Sequence, residues 1–258
     1  HRYRYRLILQ AAAAAEAVLY RDGEVNTAPP PGDDRPLTLI AMGDERGELG
    51  GVGIATEAIV SSVLAEAPDL VIGTGDLVPR GDRLSDWTAL LRSHGTFTAQ
   101  LPYYVALGNH ELVGDREARM WKQLFPVAKD GHYAIRHGAL LLVFLNGNRP
   151  GDAAETAFLD EQLGAAMRDP TIAARFVIVH QAPLSGSLHC GLASYMSEWV
   201  THFERHKVDA VIAGHDHAYE RLERNGIAYF VTGGAGAPLY DRGSCEPVDE
   251  LALQRYEA

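Results

Sequence analysis

Two histidines one residue apart, His215 and His217, follow the apolar run 208–213 and a single glycine. In an extended or turning backbone, side chains at i and i+2 reach toward one side, so two rigid imidazole donors at the end of a buried strand suit neighbouring metal ions. Four further apolar runs end in similar residues. Residues 39–42 lead into Gly43 and Asp44, 70–72 into Gly73, Thr74, Gly75 and Asp76, 103–107 into Gly108, Asn109 and His110, and 176–179 into His180. Any one Gly-Asp pair is an ordinary strand-to-turn transition. Five strand ends that each deliver an oxygen or nitrogen donor make a cage for two divalent or trivalent ions.

Such donors converge if the strands share a sheet, because ligand sites in open α/β sheets form outside the carboxyl ends of the strands. Glycine directly before Asp44, Asp76, Asn109 and His215 predicts sharp turns that aim the next side chain inward. Helical spacing of apolar residues fills the intervals: Ile59, Val60, Val63 and Leu64 within 54–66, Leu84, Trp87, Leu90 and Leu91 within 83–93, and Phe158, Leu159 and Leu163 within 154–167. A last helix is expected over 195–207. Alternating strands and helices predict an α/β fold with helices covering the sheet. His202 and His206 stand at i and i+4, a zinc-compatible spacing, but no Glu partner from a matching motif accompanies them, so they read as a solvated helix face. His94, His132 and His137 read as structural.

With 258 residues, 47% hydrophobic and 22% charged, the chain can build a sizeable core. A net charge of -11 argues against an extended nucleic-acid or anionic-membrane surface, which would concentrate Lys and Arg. Any phosphate must be attracted locally, which bound cations would achieve. No apolar run approaches the roughly 18 residues of a membrane span.

The blocks GDLV (75–78), GNHE (108–111), IVH (178–180) and GHDHAYER (214–221) resemble the signature blocks of calcineurin-like metallophosphoesterases, and they occur in family order. The last block, together with YFVTGGAGAPLY (229–240), is most similar to the purple acid phosphatase branch. The resemblance runs from Leu37 to Tyr240 and implies an α/β/β/α sandwich of two mixed sheets flanked by helices. It also implies two metal ions of iron, zinc or manganese. Asp44 would hold the first, Asp76 would bridge both, Asn109, His180 and His215 would hold the second, and His217 would complete the first. A hydroxide between the ions would attack phosphorus, with His110 as general acid and His189 on the substrate side. Glu111 and Asp216 read as supporting carboxylates, either of which could orient an imidazole.

The resemblance implies hydrolysis of a small phosphate ester, a monoester before a diester or cyclic nucleotide, with a degenerate phosphate-binding member as the non-catalytic alternative. Specificity would lie in loops 115–130 and 183–194. Two departures stand out. Many family members carry Asp-x-His at the first block, where this chain has Asp44, Glu45 and Arg46, and purple acid phosphatases carry a tyrosine three residues after the bridging aspartate, where this chain has Pro79. Looser binding at the first ion and loss of the purple tyrosinate-to-iron band follow.

Residues 1–36 resemble the final strands and linker of a fibronectin-III-like domain, and 37–258 a catalytic domain that its relatives extend with further strands. Residues 1–10 read as strand, 11–20 as helix by propensity, yet Val18, Leu19 and Tyr20 favour strand and Asp22-Gly23 a turn. A longer gene product and an extracytoplasmic location are expected. Cys190 and Cys245 are either bridged or independent thiols. Oligomeric state has no signature in the sequence.

Overall fold

The run Leu140–Leu145 has no polar position, which fits only a strand covered on both faces. In the computed structural model it is covered in that way. The structure describes residues 1–9, 18–47, 54–127, 130–149, 151–191, 193–241 and 252–257. Its elements are β1 (Arg2–Leu9), β2 (Val18–Asn26), β3 (Leu39–Met42), α1 (Ile54–Ala65), β4 (Leu70–Gly73), α2 (Leu84–Thr98), β5 (Tyr103–Val105), α3 (Arg119–Leu124), β6 (Tyr133–His137), β7 (Leu140–Leu145), α4 (Ala153–Ala166), β8 (Ala174–Gln181), α5 (Ala193–Arg205), β9 (Ala210–Gly214), β10 (Tyr219–Arg224), β11 (Ile227–Thr232) and β12 (Ala252–Glu257).

Two sheets face each other. One has seven strands in the order β12-β10-β11-β9-β8-β7-β6 and mixes parallel with antiparallel pairs; the other, β3-β4-β5, is parallel in both pairings. Alternation along β7 explains the layering. Leu140, Leu142 and Phe144 join Leu70 and Ile72 of β4 and Val105 of β5 between the sheets, whereas Leu141, Val143 and Leu145 pack outward against Leu159 and Leu163 of α4 and Phe203 of α5. On the far side of the smaller sheet, Val60 and Val63 of α1 and Phe97 of α2 cover Val71. The layers run α/β/β/α, as expected.

Several boundaries differ from the sequence reading. Helix α2 runs on to Thr98 because Ser93 bonds back to Leu90 O and His94 is buried against Glu45, so neither ends the helix. Asp22 and Gly23 form no turn: they lie within β2, paired with Arg6 and Tyr5 of β1, and the Arg6–Asp22 ion pair anchors the register. Residues 11–15 lie outside the described residues. Helix α3 and a 3-10 turn over His110–Leu112 had no sequence expectation. Cys190 is disulfide-bonded, and Cys245 lies outside the described residues. No helix among the described residues is long and apolar enough to cross a membrane.

Candidate metal centre

Strands β3, β4, β5, β8 and β9 bring their carboxyl ends to one edge of the sandwich, and each carries one of the expected donors. The turning device is not the one expected. Asp44, Asp76 and His215 themselves hold left-handed backbone, with φ of 59°, 55° and 69°, and among the glycines before them only Gly75 shares it. Non-glycine residues pay steric strain there, and such strain clusters at functional sites. The glycines serve close approach. A side chain at Gly214 would collide with Asp44 Oδ2 and Thr74, so glycine lets β9 pass beside the carboxylate that pins the next residue. That carboxylate accepts the His215 main-chain N–H at 2.8 Å.

The centre has two halves that meet at Asp76. In the second half, His180 donates Nδ1–H to the Thr74 carbonyl at 2.9 Å, which in the neutral ring turns the Nε2 lone pair inward. Nε2 then lies 3.0 Å from Asn109 Oδ1 and 3.2 Å from Asp76 Oδ1. Three acceptors facing one another repel unless a cation or a proton sits among them. Burial opposes charge on His180, yet the Asp76, Asp44 and Glu111 carboxylates outweigh it and push its pKa up to about 9. The His215 ring is 5.1 Å from that of His180, centroid to centroid, and one donor atom each from Asp76, His180 and His215 fall within 4.8 Å of one another. Burial, then the His180 and His189 rings, lower the His215 pKa to about 3, which keeps the imidazole neutral as a ligand must be. This half fits a metal ion.

The first half does not. His217 donates Nδ1–H to Pro238 O at 2.7 Å and so presents Nε2, but that atom faces the Arg46 guanidinium, with Nη2 at 3.2 Å. Arg46 Nε also stands 3.4 Å from Asp76 Oδ2. Asp44 Oδ1 is 3.5 Å from His217 Nε2 and is buried with no hydrogen-bond partner. Burial raises the Asp44 pKa against the pull of His217 and His180.

Around the two halves, His110 donates its main-chain N–H to Asp76 Oδ1 at 2.8 Å and Nδ1–H to Pro79 O at 2.9 Å, leaving Nε2 3.8 Å from Asp76 Oδ2 at a half-buried position. His189 lies across the centre. Its N–H and Nδ1–H both reach Asp216 Oδ1, at 3.0 and 2.8 Å, and its ring is 4.2 Å from that of His215. Asp216 thus orients an imidazole. Glu111 does something else: it is fully buried and accepts the N–H groups of Asp76, Leu77, Val78 and Gly108 at 2.8 to 3.3 Å. Burial and Asp76 push its pKa up to about 8.

Sequence reasoning missed three contributions. The Tyr240 ring stacks on His217 at 4.0 Å, the Thr74 carbonyl sets the His180 tautomer, and Glu220 receives the Gly186 N–H at 3.0 Å to hold the loop that carries His189. Tyr240 and Glu220 had a signal, their places in the YFVTGGAGAPLY and GHDHAYER blocks. The α5 histidines are not a solvated face. His202 is buried and His206 half-buried, each 2.6 Å from Asp160 Oδ1 of α4, with Arg205 3.9 Å from the other oxygen of the same carboxylate. His132 pairs with Glu155, and His94 with Glu45, as structural residues do.

Known proteins resemble this architecture over most of its length. Purple acid phosphatase 5 of Arabidopsis thaliana is 28% identical over 235 residues, which cover 84% of this chain and 53% of that protein. Tartrate-resistant acid phosphatase type 5 of Sus scrofa is 25% identical over 89% of this chain and 77% of its own. The solved structure of purple acid phosphatase PPD1 from yellow lupin (Lupinus luteus) seeds superimposes with a TM-score of 0.83 at 17% identity, over 96% of this chain and 52% of that one. The chain therefore spans about half the length of the Arabidopsis and lupin proteins. The model of the calcineurin-like phosphoesterase family matches residues 52–219, and with the donor set carried by five strand ends inside and around that span, the chain belongs to this family.

Proposed function

We propose that this chain hydrolyses small phosphate esters, a monoester in preference to a diester, at the centre built around Asp76. The observation that supports it most is the convergence of Asn109 Oδ1 and Asp76 Oδ1 on His180 Nε2, at 3.0 and 3.2 Å, beside a half-buried His110. Preference for a monoester draws on the acid phosphatase names of the relatives.

An ion held by Asp76, Asn109, His180 and His215 supplies Lewis-acid charge to a phosphoryl oxygen and makes water there more acidic. Iron, zinc and manganese all suit these nitrogen and oxygen donors. The residues of the chain do the rest. Pro79 O and Asp76 Oδ1 fix the His110 ring with Nε2 toward the centre, where its proton can pass to the departing alkoxide. Arg46 meets charge that develops on the equatorial oxygens. His189, held by Asp216, closes the opposite wall against the substrate. The disulfide at Cys190 supports an extracytoplasmic location.

The test is turnover of paired aromatic phosphomonoester and phosphodiester substrates by protein reloaded with each metal. Faster monoester cleavage is expected; diester cleavage alone would reassign the substrate class. Arg46 favours a second reading, a phosphate-binding protein without turnover. Tight inorganic phosphate binding with no hydrolysis under any loading would select it.

A further inference from the structure

The disagreement between the first half of the centre and a metal ion has a specific content. We infer that Arg46 takes the place of the first ion: its guanidinium is the built-in cation of that half, and the chain holds one metal ion rather than two. The ion count stands independently of the hydrolytic reading; only the use of Arg46 toward a phosphoryl group rests on it.

Of the three atoms a first ion would need, two are already answered by N–H donors, and the third, Asp44 Oδ1, stands 3.5 Å from His217 Nε2 with no hydrogen-bond partner. His217 Nε2 is an acceptor because Nδ1 gives its hydrogen to Pro238 O, and Arg46 Nη2 meets it at 3.2 Å. Asp76 Oδ2 meets Arg46 Nε at 3.4 Å, while Oδ1 faces His180 in the other half, so the carboxylate would serve an ion with one oxygen and the guanidinium with the other. Arg46 is held where it is. Its main-chain N–H reaches Asp76 O at 3.3 Å, and its side chain is only 18% exposed, so the guanidinium is no solvated surface group that could swing aside. Position 79 supplies no side-chain donor, and its carbonyl is engaged by His110.

Charge balance points the same way. Asp44 and Asp76 are the carboxylates of the expected ligand set, and their two negative charges cancel one divalent ion; the guanidinium then leaves a net charge of about +1, and a second divalent ion would raise it to about +3. Asp44 keeps a different task, since its Oδ2 pins the His215 N–H. The arginine fork carries five donors, always charged and matched in shape to phosphoryl oxygens, and two nitrogens serve the contacts above. It cannot acidify water, so the chemistry of this centre is divided between an ion on one side and a hydrogen-bonding clamp on the other.

The experiment counts ions in the full chain, stripped of metal and reloaded separately with zinc, manganese and iron, by elemental analysis and calorimetric titration. Wild type is expected to take up one ion. Arg46→His, which restores the Asp-x-His pattern, is expected to take up a second, and Asp44→Asn is expected to stay at one. Two ions in wild type overturn the inference, and so does a count that drops from two to one in Asp44→Asn or that stays at one in a folded Arg46→His, checked by circular dichroism. Titration with inorganic phosphate gives the arginine's own part: Arg46→Gln is expected to weaken phosphate binding about tenfold with its ion retained, and unchanged affinity removes Arg46 from that role. Failure to hydrolyse any ester would sink the enzymatic reading and leave these counts untouched.

Discussion

The carbonyl of Pro79 accepts the Nδ1–H of His110 at 2.9 Å, so the residue that replaces the expected tyrosine orients the candidate acid through its main chain. Any residue at position 79 offers that carbonyl. His110→Ala is therefore expected to lower kcat by about 10² to 10³-fold while ion content stays at the wild-type value. Leaving groups of rising pKa should suffer progressively more, because they depend on the donated proton. A uniform loss across leaving groups would remove the acid role.

Glu111 satisfies four main-chain donors that a buried loop cannot leave open. Glu111→Ala is expected to destabilise the metal-free protein by several kcal/mol, at about 1–3 kcal/mol for each donor left without an acceptor or water. Glu111→Gln, which keeps one acceptor oxygen, should fall between this variant and wild type. Urea unfolding of the metal-free proteins reads both.

Among the described residues, the tyrosine beside the first half of the centre is Tyr240, which lies flat on His217 at 4.0 Å with an interplanar angle of 20°. Burial raises its pKa, which disfavours tyrosinate. Iron-loaded protein is expected to lack the strong visible charge-transfer band. An intense band that vanishes in Tyr240→Phe would show that this ring ligates after all.

Asp160 ties α4 to α5 through His202 and His206. Burial alone would raise its pKa, but hydrogen bonds from the two imidazoles win and hold it below the usual value. A depressed carboxylate contributes stability that is present above its unfolded pKa of about 3.9 and is lost as pH falls through its lower folded value. Asp160→Ala is thus expected to lower Tm at neutral pH, by an amount equivalent to about 1 kcal/mol because the side chain is 38% exposed. The gap from wild type should narrow as pH falls below about 3.9 and close once pH is below the lower folded value. A gap independent of pH would mean that packing, not charge, joins the helices.

Much of the centre was legible because strand ends are a local signal: an apolar run, a glycine and a donor can be read within six residues, as at Ala213, Gly214 and His215. What the donors rest on was not. Glu111 was visible as a carboxylate beside a ligand, but its grip on the amides of residues 76–78 depends on how β4 and β5 lie side by side. Arg46 read as the loss of a histidine; that its guanidinium reaches Asp76 and His217 requires contacts 30 and 171 residues away along the chain. The α5 histidines were read as solvated because α4, which buries them, is invisible to a helical-spacing argument confined to α5. Asp22-Gly23 failed for the same reason, since a cross-strand partner on β1 outweighs local turn preference.

The left-handed backbone of Asp44, Asp76 and His215 costs about 1 kcal/mol or more at each position, and glycine would relieve it. The scaffold therefore folds in spite of its centre. Glycine at these three positions would relax the backbone and remove the donors together, at the cost of the main-chain hydrogen bonds that Asp44 and Asp76 accept. Aspartate, aspartate and histidine standing where glycine would carry less backbone strain are a mark of use.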